Sequence, residues 1–409
     1  MTTASLPACA PEHAVNPWAS TESRVPLRDW SAIAKAAASV ASEFADNVDV
    51  EARFPVEGVT ALREQRLLAA AIPVEMDGDG ATLREIARVC RTLGSACAST
   101  AMIYAMHQAQ IYCLVKHMQD DNWFRTFFRD MAREQWLLAS ATSEETVGGD
   151  MRSSVCAVVA DASGTFTLTK RAPTISYGAY ADAILATARR HADAAPSDQV
   201  LVMLMREDLS LQPTSAWNTL GMRGTCSGGF MLEGRGHVQQ VFQAPFSEIA
   251  ARTILPVSHV LWSSVWLGIA TDAVRRGQKF FRKQVRSGSG TVTQSGIRLT
   301  NALGLLRTME ATIDAAMWSH EQEDSAIADG SALLFGSALR MNDLKIRMST
   351  MALDIVRETM QLCGMAAYKN DTPFSMGRHL RDLHSAPIMI NNDRLAGNMA
   401  VLMMAERAI

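Results

Sequence analysis

The chain has no concentrated basic segment. Its 39 Lys and Arg are set against 42 Asp and Glu, for a net charge of −3 spread over 409 residues. A nucleic-acid partner would need a concentrated basic face, so that class is excluded. The uncharged apolar run near the end, "MAVLMMA" (399–405), is far short of the ~18–20 residues that span a bilayer. The opening stretch "MTTASLPACAPEHAV" has neither the basic nor the apolar region of a secretion signal. No membrane span is expected, and a cytoplasmic location is. The seven cysteines (9, 90, 97, 113, 156, 226, 363) include no CxxC pair, and no histidines have HExxH spacing. That leaves no structural zinc or redox dithiol, no metal site, and reduced, buried cysteines. No internal repeat is visible.

What is present has the balance of a globular protein, with 48% hydrophobic and 20% charged residues. A chain of this length divides into two or three domains. Residues 1–27, rich in Pro, Ser and Thr, read as a flexible N-terminus. Residues 28–135 read as a helical domain: "DWSAIAKAAASVASEFADNV" places apolar residues three and four apart, and the run from Thr82 to Met118 is long and nearly free of breakers. At Trp136 the texture changes. "WLLASAT", "TFTLTK", "AILATAR" and "VLVMLM" are short β-branched or alternating runs between turn residues, so 136–248 reads as a small barrel or sandwich. Residues 249–409 return to helix in four long amphipathic segments, the last written "PIMINNDRLAGNMAVLMMAERA", and read as a bundle. The many methionines there suit core filling.

Four stretches in this order carry a likeness. They are "LLASATSEETVGGD" (137–150), "TISYGAYAD" (174–182), "LGMRGTCSG" (220–228), and "QLCGMAAY" (361–368) followed by "RHLRD" (378–382). Together they resemble the acyl-CoA dehydrogenase family from about residue 28 to 408. The resemblance implies an α+β fold with an N-terminal helical domain, a middle small β-barrel domain and a C-terminal four-helix bundle. It also implies FAD held between the β domain and the bundle, partly by a neighbouring subunit of a homodimer or homotetramer.

Carried over position by position, Ser140, Thr142 and Ser143 would donate to the flavin ring's pyrimidine edge. Ser176 falls where the family has a flavin-contacting Thr, and Thr174 replaces a Trp that packs on the ring. Gln361 and Gly364 match positions that reach the adenine half from the adjacent subunit. Arg286 or Lys283 would pair with the pyrophosphate, and spacing does not decide between them. By composition alone the hydroxyls are ordinary strand and turn residues, and the cations solvated helix-end charges.

The departures bear on activity. Gly149 stands where many members have a Ser against the thioester, although Gly148 and Asp150 keep the turn, and Glu145-Thr146 replaces Pro-Gly. Ile390 occupies the place of the carboxylate base, and an isoleucine has no lone pair to offer an α-proton. The other base position known in relatives falls near Ser258. Three answers stay open: a relocated base at Asp393, which is otherwise a first-turn helix acid; a reduced-flavin monooxygenase using His384, or else His107 or His259, each otherwise a core histidine; or a flavoprotein without the base. With Gly149, His259 and Ile390 as substrate contacts, the expectation is an FAD-dependent oxidoreductase. It would oxidise an acyl thioester of coenzyme A or an acyl carrier protein at its α,β carbons. Hydride would pass to flavin N5 and electrons on to a flavoprotein or reductase. The alternative is a two-component, reduced-flavin-dependent monooxygenase.

Overall fold

The computed structural model describes residues 28–118, 122–145, 151–288, 292–328 and 334–405. The N-terminal stretch 1–27 and the loop residues Thr146, Gly148, Gly149 and Asp150 lie outside the described residues.

Asp29 accepts the Ala32 N–H at 3.0 Å and opens helix α1 (Trp30–Glu51), whose buried face is almost all alanine. Helix α2 (Val56–Glu64) follows. A capping box of Thr82 and Glu85 starts α3 (Leu83–Gly94). The long run read from Thr82 to Met118 is broken at 95–97, and α4 (Ala98–His117) begins anew. Gly94, the last residue of α3, lets two backbones approach, since a Cβ there would lie 2.4 Å from the Val265 carbonyl oxygen of a later helix. Helix α5 (Asn122–Glu134) closes the first unit.

The strands are β1 (Leu138–Ala141), β2 (Val159–Ala160), β3 (Thr165–Ala172), β4 (Ala183–Arg189), β5 (Gln199–Met205), β6 (Leu209–Ser215) and β7 (Gly229–His237). They form two sheets, ordered β1-β4-β5 and β2-β3-β7-β6, with β1 parallel to β4. Burial alternates along β3 and β7, as in a sheet with one wet face, while β4 and β5 are buried on both faces.

A short helix, α6 (Phe246–Ile249), passes through a π turn at Ala250–Ile254 into α7 (Leu255–Arg286). By length and composition Phe246–Arg286 could cross a membrane, yet 94% of its apolar window is buried inside the protein. Around it pack α3, α4, α8 (Val292–Ala328) and α9 (Leu334–Cys363). After α10 (Met365–Tyr368) and α11 (Gly377–His384), the chain turns over 385–391 before α12 (Asn392–Ala405). The last segment is therefore not one helix. Asn391 caps α12 by accepting the N–H groups of Asp393 at 2.8 Å and Arg394 at 3.1 Å, and Ile390 just before it adopts φ +45°. Met309, Met317, Met341 and Met348 fill the bundle core.

Candidate functional site

Strand β1 runs out into half-buried Ser140, Thr142 and Ser143, and a fixed backbone supports them. Behind it sits His107 of α4, fully buried. Its Nδ1 accepts the Leu138 N–H at 2.9 Å and its Nε2 faces the Leu68 carbonyl at 2.7 Å. Only the neutral tautomer protonated on Nε2 satisfies both, and burial pushes the imidazole down to about 4. His107 is thus an anchor for β1.

A second support was not read from the sequence. Lys170 of β3, fully buried, donates to the Thr187 carbonyl at 2.8 Å and hydroxyl at 3.0 Å, and faces Glu144 at 3.5 Å. Glu144 accepts from Ser154 Oγ at 2.7 Å and from the N–H groups of Cys156 and Val155 at 2.8 and 3.1 Å. Burial raises its carboxyl, but Ser154, Lys170 and those N–H groups together bring it below the usual value. The cluster fixes the backbone that carries Thr142 and Ser143. Its signal in the sequence was a lysine at an inward position of an alternating strand.

On the neighbouring turn, Ser143 Oγ donates to the Thr174 carbonyl at 2.9 Å and lies 3.2 Å from its hydroxyl. Ser227 donates to Ser176 at 2.9 Å, and its oxygen lies 2.8 Å from that of Thr225. Thr225 in turn donates to the Met222 carbonyl at 2.8 Å. Met222, at φ +51°, gives its N–H to buried Asp382 at 2.7 Å. Burial raises the Asp382 carboxyl to about 6 against the Met222 N–H and nearby arginines. Gly221 is required here, since a Cβ would lie 2.1 Å from the Arg381 carbonyl oxygen. Arg381 pairs with Asp49, and Arg378 with Asp46 at 3.3 Å, fastening α11 to α1. The "GMRGT" and "RHLRD" motifs meet as one junction of all three units.

Neither base position holds a carboxylate. Ser258 is buried on α7, and half-buried Ile390 gives its carbonyl to buried Lys345 Nζ of α9 at 2.7 Å. Lys345 also donates to Asn392 Oδ1 at 2.7 Å, and burial brings its ammonium down to about 8. Asp393 is exposed on the first turn of α12, and His384 is half-buried at the end of α11. His259 is fully buried. Its Nδ1 lies 3.0 Å from the Met341 carbonyl while Nε2 has no partner. Burial, with Lys345 adding to it, lowers the His259 imidazole to about 4.

The remaining candidates face outward. Gln361 lines a groove of about 630 Å³ between α8 and α9, and Gly364 is exposed at φ +57° just beyond. Arg286 and Lys283 share a recess of about 540 Å³ with Lys279 and Arg282 at the end of α7. The structure brings Ser143 to Thr174 and Ser227 to Ser176, whereas Gln361 and Arg286 line separate recesses of the single chain.

Two family models match the chain. One described as acyl-CoA dehydrogenase, N-terminal domain, covers residues 30–135, and one described as acyl-CoA dehydrogenase, C-terminal domain, covers 260–392. No curated protein matches in sequence. Among solved structures, FMN-bound TdsC from Paenibacillus sp. A11-2 superposes with a TM-score of 0.81 at 17% identity, over 93% of this chain and 98% of that one. Nitrososynthase from Micromonospora carbonacea var. africana gives 0.76 at 19% identity, over 94% and 99%. Methanesulfinate monooxygenase MsuC from Pseudomonas fluorescens gives 0.75 at 17%, over 91% and 96%. At such identities the likeness is one of fold.

Proposed function

The chain belongs to the acyl-CoA dehydrogenase family, and on that premise we propose that it is a flavin-dependent monooxygenase served by a separate reductase. The observation that carries this reading is the turn at Ile390. An isoleucine stands where α-proton abstraction needs a base, and a buried ammonium, Lys345, holds the carbonyl of that same residue. Asp393, the nearest acid beyond, is exposed on a helix end. Oxygen insertion needs no α-proton base. TdsC, a dibenzothiophene monooxygenase, and MsuC, a methanesulfinate monooxygenase, share the fold.

The residues fit a flavin. Ser140, Thr142 and Ser176 present hydroxyl and backbone donors from a strand and turn that His107, Lys170 and Glu144 hold rigid, while the Ser143 hydroxyl is spent on the Thr174 carbonyl. Bound flavin supplies the two-electron chemistry and the activation of oxygen. Thr174, exposed, leaves the adjoining face open. The basic recess at Arg286 and Lys283 suits a pyrophosphate. Gln361 and Gly364 face outward, as contacts made to a second copy's FAD would be. The cofactor in this reading is FAD, and the assembly a homodimer or homotetramer.

The test pairs two measurements on the flavin-loaded protein. Acyl thioesters of coenzyme A should leave the oxidised flavin unbleached under anaerobic titration. Reduced flavin delivered by a reductase should give oxygen uptake that rises with an oxygenated product. Bleaching by any acyl thioester would return the protein to α,β-dehydrogenation.

A further inference from the structure

Helices α1 and α2 meet unevenly. The face of α1 that packs inward is almost all alanine, while Val40 and Phe44 stand half-buried along its edge. With Val56 and Ala61 of α2 they floor a groove of about 330 Å³ between the two helices. Val56 is 53% exposed there, so apolar surface lies uncovered among the described residues. The rim is acidic. Glu57 is spent on Arg53, which donates to both of its oxygens at 2.9 Å. Glu64 is exposed and has no ion pair among the described residues. An occupant that suits this groove carries an apolar anchor and, some residues away, a cation.

The chain itself brings such a segment to the groove's end. The described residues begin at Arg28, whose guanidinium donates to the Gln65 carbonyl and pairs with Asp79. Gln65 directly follows Glu64, so the 27 residues before Arg28 leave from beside the α2 end of the groove. They hold one residue of the Lys/Arg kind, Arg24, and one aromatic, Trp18. Arg24 is four positions from Arg28, about 13 Å when extended, which brings its long side chain to Glu64. Val56 lies eight positions before Glu64, about 12 Å along α2. The six residues from Arg24 back to Trp18 extend to about 20 Å, enough to pass along the groove to its far end. A tethered segment also meets the groove at an effective concentration of about a millimolar, well above that of a separate partner.

We propose that this groove is the docking site of the chain's own segment Trp18–Leu27, with Trp18 packed on Val40, Phe44 and Val56 and Arg24 paired with Glu64. The ion pair is exposed and sets the register. The indole, which buries about 150–250 Å² of surface, supplies most of the attraction. The segment then ties α1 to α2 along the edge that their own packing leaves open.

The test is limited trypsin digestion of the full chain, with cleavage after Arg24 followed by mass spectrometry. Wild type should be cut there at least about tenfold more slowly than a synthetic peptide of the same sequence, because the protease meets only the undocked fraction. Trp18→Ala should raise the rate about tenfold, the loss of one buried aromatic anchor, and Val40→Asp should do the same from the other side. Glu64→Lys should raise it about two- to fivefold, the size of an exposed ion pair. Glu43→Gln, on an exposed position of α1 outside the groove, should leave it unchanged. Circular dichroism checks folding, and Trp18→Ala lies outside the packed helices, so the measurement stands even if Val40→Asp does not fold. Cleavage of wild type as fast as the peptide, or equal rates in wild type and Trp18→Ala, overturns the proposal. A rate that falls as protein concentration is raised about a hundredfold would give the groove to a second copy's segment and overturn it as well.

Discussion

Asp382 allows a perturbation whose size can be worked from the structure. It is 3% exposed and accepts the N–H of Met222, which is held in the left-handed region at φ +51°. Burial raises its carboxyl from the ordinary 3.8 to about 6. A carboxyl raised on folding binds its proton more tightly in the native state. Its burden is therefore absent below the unfolded value, grows as pH climbs, and is complete above about 6. The displacement corresponds to about 3 kcal/mol between those limits. Asp382→Asn keeps an acceptor for Met222 and cannot ionise. Wild type should thus gain up to about 3 kcal/mol relative to the variant on going from neutral pH to pH about 4. Near pH 7 the two should lie closer, because the variant loses a charge-assisted bond but also a buried charge. Asp382→Ala strands the Met222 N–H and should cost about 1–3 kcal/mol at every pH. Urea unfolding followed by tryptophan fluorescence across that range measures the difference. Parallel profiles for wild type and Asp382→Asn would refute the reasoning.

Lys170→Met leaves the Glu144 carboxylate buried without its cation and should destabilise by about 3–5 kcal/mol, with part recovered in the double variant with Glu144→Gln. Identical melting of the single and double variants would count against that pairing. His107→Leu strands the Leu138 N–H and leaves the Leu68 carbonyl only its 3.3 Å bond from Gln108, and should cost about 1–3 kcal/mol while loosening flavin retention through β1. A wild-type melting curve would show the anchor to be dispensable. FAD should be retained in preference to FMN, and Gln361→Ala or Arg286→Ala should weaken its retention about tenfold, one lost polar contact each. Finding FMN after denaturation and chromatography would remove the outward recesses from the cofactor site. Asp393→Asn should leave turnover nearly unchanged, because the residue is an exposed helix-end acid. A loss of about 10² or more would restore it as the base.

The order of the units, and the family itself, were legible in the sequence because they rest on local signals. Helical periodicity, strand alternation and four motifs at fixed spacing survive without knowledge of any partner. Caps were legible for the same reason at Asp29 and Thr82. The close approach at Gly94 was not, since a Cβ there would meet Val265, a residue 171 positions away. Nor was the last segment, where Asn391 and a left-handed Ile390 override an apparently helical pattern. At the candidate site the sequence supplied the identities: hydroxyls on β1, an isoleucine in place of a carboxylate, and several lone histidines. It could not rank those histidines. His107 and His259 both sit on apolar helices, yet the first bonds through both nitrogens and the second through one. Lys170 and Lys345 drew no attention as charges, because burial is decided by what packs over a residue. A carbonyl or carboxylate contributed from distant chain sets both the electrostatics and the free lone pairs, and only the assembled helices and sheets bring those groups within reach.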